Sequence, residues 1–273
     1  MVEPFHMKHE CYYTINEMLR SNRNVVAGIS TRHGGVSHQP FHALNLGLHV
    51  HDQSSDVIEN RNRLANALNT KLNQWVFADQ VHGKQISEVK RVDAGKGSNL
   101  YHTGIIGTDG LYTKDSNIVL ALAYADCVPI YFSAKNLNIV GIVHAGWKGT
   151  VSRIAQEMIH TWSKEENIPS DEIEVWIGPS IQQCCYEVDQ HVIDHVDDIM
   201  EDKVKPYTTT TVTGKYMLNL QELNRQLLIK AGVPSTQIHV TTLCTSCSVN
   251  HFFSHRKENG QTGRMLGFIM FNE

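Results

Sequence analysis

Wholly apolar runs of strand length, each broken by Gly, Pro, Asp or Asn, dominate the chain. "NIVLALAYAD" (117–126), "VPIYFSA" (128–134) and "NIVGIVHAG" (138–146) follow one another with little between them. They are too short and too punctuated for long helices, so they predict buried strands. "VVAGIS" (25–30), "EIEVWIGPS" (172–180), "QIHVTTLCT" (237–245) and "RMLGFIMF" (264–271) read the same way, and "QWVFADQVHG" (74–83) reads as a short strand entering a turn at His82. "QISEVKRV" (85–92) alternates like a half-buried strand. Helical spacing is confined to three stretches. Residues 54–69 start at Ser54 or Ser55 as the expected cap and put Val57, Leu64 and Leu68 on one side. Residues 150–166 form the second, and 220–232 the third, closed by Gly232. Between the first strand and the first helix lies "TRHGGVSHQPFHALNLGLHVHD" (31–52), which has no periodicity. A loop of that length is usually functional or disordered. No repeat, low-complexity tract or linker interrupts the pattern. The expectation is one α/β (α+β) domain over 1–273, with mixed β-sheets flanked by helices.

Composition narrows the partners. The chain has 273 residues, 41% hydrophobic and 19% charged, with a formal net charge of −4. That gives no basic field for nucleic acid or an anionic membrane. The N-terminal stretch has no signal pattern and no apolar run approaches a membrane span, so a cytoplasmic protein is expected. Six Cys in such a chain are expected as thiols. Sixteen His is the unusual count, and it points weakly toward metal or proton chemistry.

Three residues share one sequence setting at strand ends: His82 in "DQVHG", Cys127 in "YADCVP" and His144 in "IVHAGWKG". Two imidazoles and a thiolate suit zinc, and three protein ligands leave a fourth position open, as catalytic sites do. The same residues admit blander readings, with Cys127 as a core thiol and His144 as a turn histidine. Cys127 with His144 also fits a nucleophile and base of the cysteine-hydrolase or amidase type. Gly146 and Gly149 are expected to let backbone approach a substrate. Arg32 and Arg61, one after the first strand and one on the capped helix, are candidates for an anion or for structural roles. Ser30 and Asn45 are candidate hydrogen-bonding groups. Cys184–Cys185 and Cys244-x-x-Cys247 would form a structural zinc site only if both pairs met; otherwise they are buried thiols near the site wall. A multicopper oxidase needs His-x-His pairs and a His-Cys-His segment. "HVH" (49–51) is the one such pair, and no His-Cys-His segment occurs.

The blocks "STRHGGVS" (30–37), "LNLGLHV" (44–50), "ENRNRL" (59–64), "QVHG" (80–83), "ADCVPI" (125–130), "HAGWKGT" (144–150), "IGPSIQQCCYEV" (177–188), "CTSC" (244–247) and "FFSHR…TGRM" (252–265) occur in an order that resembles the bacterial laccase-domain proteins. These are also called multicopper polyphenol oxidases or domain of unknown function 152, and are described as purine nucleoside phosphorylases. The resemblance covers nearly the whole chain. It implies a fold similar to a toxin deamidase with a Cys–His pair, and a zinc site at His82, Cys127 and His144. It implies phosphorolysis of adenosine, guanosine, inosine and S-methyl-5′-thioadenosine, with a nucleoside and inorganic phosphate as partners, and deamination of adenosine. Copper-dependent phenol oxidation and editing of peptidoglycan precursors are also attached to the family. Copper outcompetes zinc at such ligands, so oxidase activity in vitro could arise that way. His51 stands where the family commonly has Gly, Lys148 replaces the usual Arg, and Asp109 is kept in "GTDGLYT". Lys keeps the charge at 148 but loses the bidentate fork.

Overall fold

The long apolar runs are apolar at every position because both faces of their strands are covered. The computed structural model describes residues 2–15, 24–134, 137–200 and 204–272. Its elements run β1 (Phe5–His9), β2 (Tyr12–Ile15), β3 (Val25–Ser30), α1 (Ser54–Ala67), β4 (Trp75–Phe77), β5 (Ile86–Glu88), β6 (Gly110–Thr113), β7 (Val119–Tyr124), β8 (Val128–Ala134), β9 (Val140–Ala145), α2 (Trp147–Val151) and α3 (Ile154–Glu165). They continue through β10 (Ile173–Ile177), β11 (Glu187–Asp189), α4 (Gln190–Ile199), β12 (Tyr207–Thr209), β13 (Lys215–Leu218), α5 (Leu220–Lys230), β14 (Ile238–Val240) and β15 (Met265–Phe271).

Two six-stranded sheets, ordered β1-β2-β3-β15-β7-β4 and β14-β10-β8-β9-β6-β5, carry the fold, with a three-stranded sheet β11-β13-β12 beside them. Pairing is antiparallel except β4 with β7, β5 with β6 and β10 with β14. The large sheets face each other. Leu120, Leu122 and Tyr124 of β7 meet Tyr131, Val140, Ile142 and Trp176 of the second sheet in one cluster. Strand alternation sends Val119 and Ala121 of β7 the other way, toward Leu64, Ala65 and Leu68 at α1. Likewise Val128, Ile130 and Phe132 of β8 turn from the inter-sheet core toward α3, α4 and α5. The result is four layers, helix–sheet–sheet–helices, the mixed α/β architecture that the run pattern predicts.

Several local expectations change. α1 starts at Ser54, but its cap is Gln53, with no side-chain cap bond, so neither serine caps it. The stretch 150–166 is two helices, because Arg153 adopts a left-handed φ of 66° between them. Pro129 does not break a strand. It lies inside β8 opposite His144 of β9. Its polar edge faces Gly178, whose N–H its carbonyl accepts at 2.8 Å, and the Gly178 carbonyl that its missing N–H leaves free accepts Gln221 Nε2 at 3.0 Å. The β1–β2 hairpin, the β11–β13 sheet and α4 have weak apolar patterns and escape a sequence reading; β1 reads buried only at Phe5. Among the described residues, no helix is long and apolar enough to cross a membrane.

Candidate active site

Two buried carboxylates build the site from opposite sides. Asp109, fully buried just ahead of β6, accepts the backbone N–H groups of Val81, His82 and Gly83 at 3.1, 3.0 and 2.7 Å. Three successive N–H groups on one anion fix the turn that holds His82 at a left-handed φ of 61°. The same carboxylate lies 2.9 Å from His144 Nδ1. His144 is the penultimate residue of β9 and points between the sheets with Val140 and Ile142. Asp126, also at a left-handed φ of 82°, accepts from Thr245 Oγ1 (2.6 Å), Ser254 Oγ (3.0 Å) and Arg256 N (2.7 Å). This pins the turn between β7 and β8 and so places Cys127.

His82, Cys127 and His144 thereby converge, with their ligand atoms all within 4.8 Å of one another. The His82 and His144 rings stand edge to face at 4.8 Å. The donor set, one soft thiolate and two imidazoles with one imidazole oriented by a carboxylate, fits a zinc-type ion. Burial raises the Cys127 pKa, but the charge of His144 and hydrogen bonds from both histidines outweigh it and hold the thiol well below its ordinary value. Burial lowers the His144 pKa, and Cys127 and Asp109 more than offset it and hold the imidazole high. Thiolate is thus the favoured form of Cys127 even before an ion binds. A Cβ on Gly146 would lie 3.0 Å from Cys127 Sγ and 3.3 Å from the His82 ring. Gly146 therefore makes room for the ligands themselves, and it also lines the cavity beside them. Gly149 likewise packs against the Gly83 carbonyl, 3.1 Å from where a Cβ would sit.

The trio forms one wall of a cavity of about 410 Å³, with His49, Arg61, Tyr101 and Arg264 on other walls. His82 and Cys127 also border a neighbouring cavity of about 400 Å³ that holds Lys148, Tyr186 and Arg256. Gln80 closes the floor of the first by a two-way bond to the Ala123 backbone, 2.9 and 2.7 Å. Arg61 reaches this cavity from α1. It donates Nε to Leu46 O (2.8 Å) and Nη1 to Gly97 O and Ser98 O (both 2.7 Å), and its guanidinium stacks 3.9 Å over Phe77. Among the described residues, Nη2 has no hydrogen-bond partner. Burial alone depresses the Arg61 pKa to about 9, so the cation persists at neutral pH. Burial, and then the charges of Arg264 and Arg61, push His49 down to about 4, so this imidazole is neutral there.

The other candidates do not reach the cavity. Arg32 is spent on His42 O, Val249 O and the Glu258 carboxylate (3.0 Å), with Phe253 under its guanidinium at 4.5 Å. It lines a separate depression. Ser30 Oγ accepts the Leu266 N–H at 3.0 Å, inside the first sheet. Asn45 Oδ1 accepts the N–H groups of Gly47 and Arg264, at 3.1 and 2.9 Å. It positions Arg264 and lines neither cavity. Both histidines of the "HVH" pair are exposed overall, and of the two His49 lines the cavity. Sequence reasoning misses His49, Tyr101, Arg264 and the anchoring role of Asp109. Arg264 and Asp109 each sit beside a glycine at the start of a strand, whereas the sequence reading attends to strand ends.

Similarity to known proteins agrees with this geometry. The profile of the family described as multi-copper polyphenol oxidoreductase laccase matches residues 26–272. Purine nucleoside phosphorylase YlmD of Bacillus subtilis (strain 168) is 45% identical over 254 residues, covering 93% of this chain and 91% of the relative. The protein of that name from Geobacillus stearothermophilus is 47% identical over 244 residues, 89% of each chain. The crystal structure of YlmD from Geobacillus stearothermophilus superposes with a TM-score of 0.96 at 43% identity, covering 100% of both chains. A strand sandwich, a His–Cys–His wall and a match across nearly every residue lead to one assignment: the chain belongs to the multi-copper polyphenol oxidoreductase laccase family, whose relatives here are named as purine nucleoside phosphorylases.

Proposed function

We propose that the chain cleaves purine nucleosides with inorganic phosphate, using the cavity shared by His82, Cys127, His144, Arg61 and Arg264. The observation that carries this reading is the pairing of a zinc-type ligand set with two guanidinium groups in one cavity of about 410 Å³, a volume suited to a nucleoside. In the reaction a phosphate oxygen bonds to the ribose anomeric carbon as the bond from that carbon to the purine breaks. The base leaves with the bonding pair and takes up a proton. Arg61, through the Nη2 that its backbone bonds leave over, and Arg264, through the donors not taken by Thr262 O and Gly263 O, hold the phosphate by charge-assisted bonds. Neutral His49 and the Tyr101 ring, whose hydroxyl donates to Asp79, face the sugar and base without adding charge of their own. Asp109 and Asp126 keep the ligand wall rigid, so substrate is placed against a surface that does not reorganise.

Zinc held by His82, Cys127 and His144 would supply Lewis acidity at this wall, for the departing base or for water replacing the 6-amino group of adenosine. Adenosine, inosine, guanosine and S-methyl-5′-thioadenosine are the proposed phosphorolysis substrates, and adenosine deamination is the proposed second activity. The Cys–His hydrolase reading rests on the Cys127–His144 pairing alone; a substrate fragment covalently trapped on Cys127 would favour it.

Release of free base from each nucleoside, followed against phosphate concentration, tests the proposal. Base release requires phosphate, and Arg61→Lys raises the half-saturating phosphate concentration by roughly 10- to 100-fold, the worth of a charge-assisted bond. Base release that ignores phosphate, in both proteins, sinks the phosphorylase reading.

A further inference from the structure

The two remaining cysteine pairs meet. Cys184 and Cys185 lie in the turn after β10, and Cys244 and Cys247 in the turn after β14. A parallel bridge from Ser180 to Cys244 holds the turns together, and Thr245 donates its N–H to Ser180 O at 3.0 Å. All four sulfur atoms lie within 4.8 Å of one another. The separations are 3.7 Å for Cys184–Cys185, 3.6 Å for Cys184–Cys247 and 3.4 Å for Cys185–Cys247. A disulfide would bring sulfurs to about 2.05 Å, and all six cysteines are free thiols. Tetrahedral zinc with Zn–S bonds of about 2.3 Å sets its sulfurs about 3.8 Å apart. The observed edges are close to that figure. Thiols that were merely core filling would be buried together, yet Cys184 and Cys247 are exposed and only Cys244 is buried. Gln182 N–H points at Cys244 Sγ from 3.5 Å, the kind of donor that stabilises a ligating thiolate.

We infer that Cys184, Cys185, Cys244 and Cys247 form a second metal site, a closed four-thiolate zinc centre that is structural rather than catalytic. Four protein ligands leave no open position. Its placement gives it a task. Cys185 precedes Tyr186, whose ring lies 5.2 Å from the Arg256 guanidinium in the second cavity. Thr245, between the other two ligands, holds Asp126 beside Cys127. One ion would therefore clip the loop that brings Ile181 and Tyr186 to that cavity onto the loop that holds Asp126 through Thr245.

Protein freed of metal with a chelator under reducing conditions is titrated with Zn²⁺, and bound metal is measured by elemental analysis. The chain binds about two zinc ions; the Cys184→Ser/Cys247→Ser variant and the His82→Ala variant each bind about one. In the zinc-loaded wild type, iodoacetamide leaves exposed Cys184 and Cys247 unmodified, and chelation makes both reactive. This second readout stands even where a variant fails to fold. Wild-type binding of about one zinc ion, or unchanged stoichiometry in the double serine variant, overturns the site. So does rapid alkylation of Cys184 and Cys247 in the zinc-loaded protein, or a purified chain lighter by about two hydrogens through a Cys184–Cys247 disulfide.

Discussion

Among the described residues, His and Cys side chains that could hold an ion gather at two places, and the two are built in opposite ways. At His82, Cys127 and His144 the ligands are mixed, they stand on or beside the central strands, and a cavity opens onto them. At Cys184, Cys185, Cys244 and Cys247 the ligands are uniform, they sit on turns, and two are exposed. The first group is oriented by the buried carboxylates Asp109 and Asp126, which are not themselves among its ligands. The second is held chiefly by backbone bonds, and a carboxylate reaches it only through Thr245, whose hydroxyl donates to Asp126. Ligand number decides which group can face a substrate, and anchoring decides which keeps its shape without an ion. The open site is the one the fold holds rigid.

The comparison breaks most directly at Cys127. Cys127→Ser removes the thiolate from the open site, and turnover falls by at least about a thousandfold, the worth of several kcal/mol of charge stabilisation. Zinc at the four-cysteine centre is untouched, so metal content drops without vanishing. Turnover within tenfold of wild type would remove Cys127 from the chemistry. A smaller loss sharpens the contrast in anchoring. Asp109→Asn retains hydrogen-bond acceptance on one side only, so the 81–83 turn and the His144 ring lose their common anion. Zinc affinity at the open site, read by competition with a chromogenic chelator, weakens by about 10- to 100-fold. Unchanged affinity would show that the β-strands alone place the histidines. The smallest effect belongs to Arg32→Met. Its partners are carbonyls and a carboxylate outside the cavity, so thermal unfolding reports a loss of about 1–3 kcal/mol while turnover stays within about twofold. A shifted phosphate dependence in that variant would return Arg32 to the site.

The strand runs and the ligand trio are legible in the sequence because each is a local pattern. An apolar run shows its own burial, and a His or Cys beside a strand break stands out. Convergence is not local, and there the sequence falls short. Arg32, after β3, and Arg61, on α1, look alike as single residues, since each is a cation next to a structured element or on one. Only the packing of α1 against the first sheet sends Arg61 into the cavity, while the Phe253 and Glu258 contacts hold Arg32 away from it. Asn45 and Ser30 are polar and fully buried, yet their bonds go to backbone N–H groups and, for Asn45 Nδ2, to the Asp52 carboxylate, not into the cavity. The meeting of the two cysteine pairs depends on β10 and β14 pairing in parallel, which neither pair reveals alone.

The position of β15 bears on how the molecule is made. Residues 265–271 pair on one side with β3 and on the other with β7, so the last strand in sequence occupies the middle of the first sheet. During synthesis β1, β2 and β3 emerge early and β7 follows, but the two halves have no ladder between them until β15 leaves the ribosome. Arg264 is fixed in the cavity only when β15 inserts, because it is the residue just before that strand. A nascent chain can therefore assemble the second sheet and bring Cys127 and His144 to adjoining strands, yet it cannot complete the cavity. The two halves of the first sheet, and with them the Arg264 side of the cavity, come together only where β15 is inserted between β3 and β7.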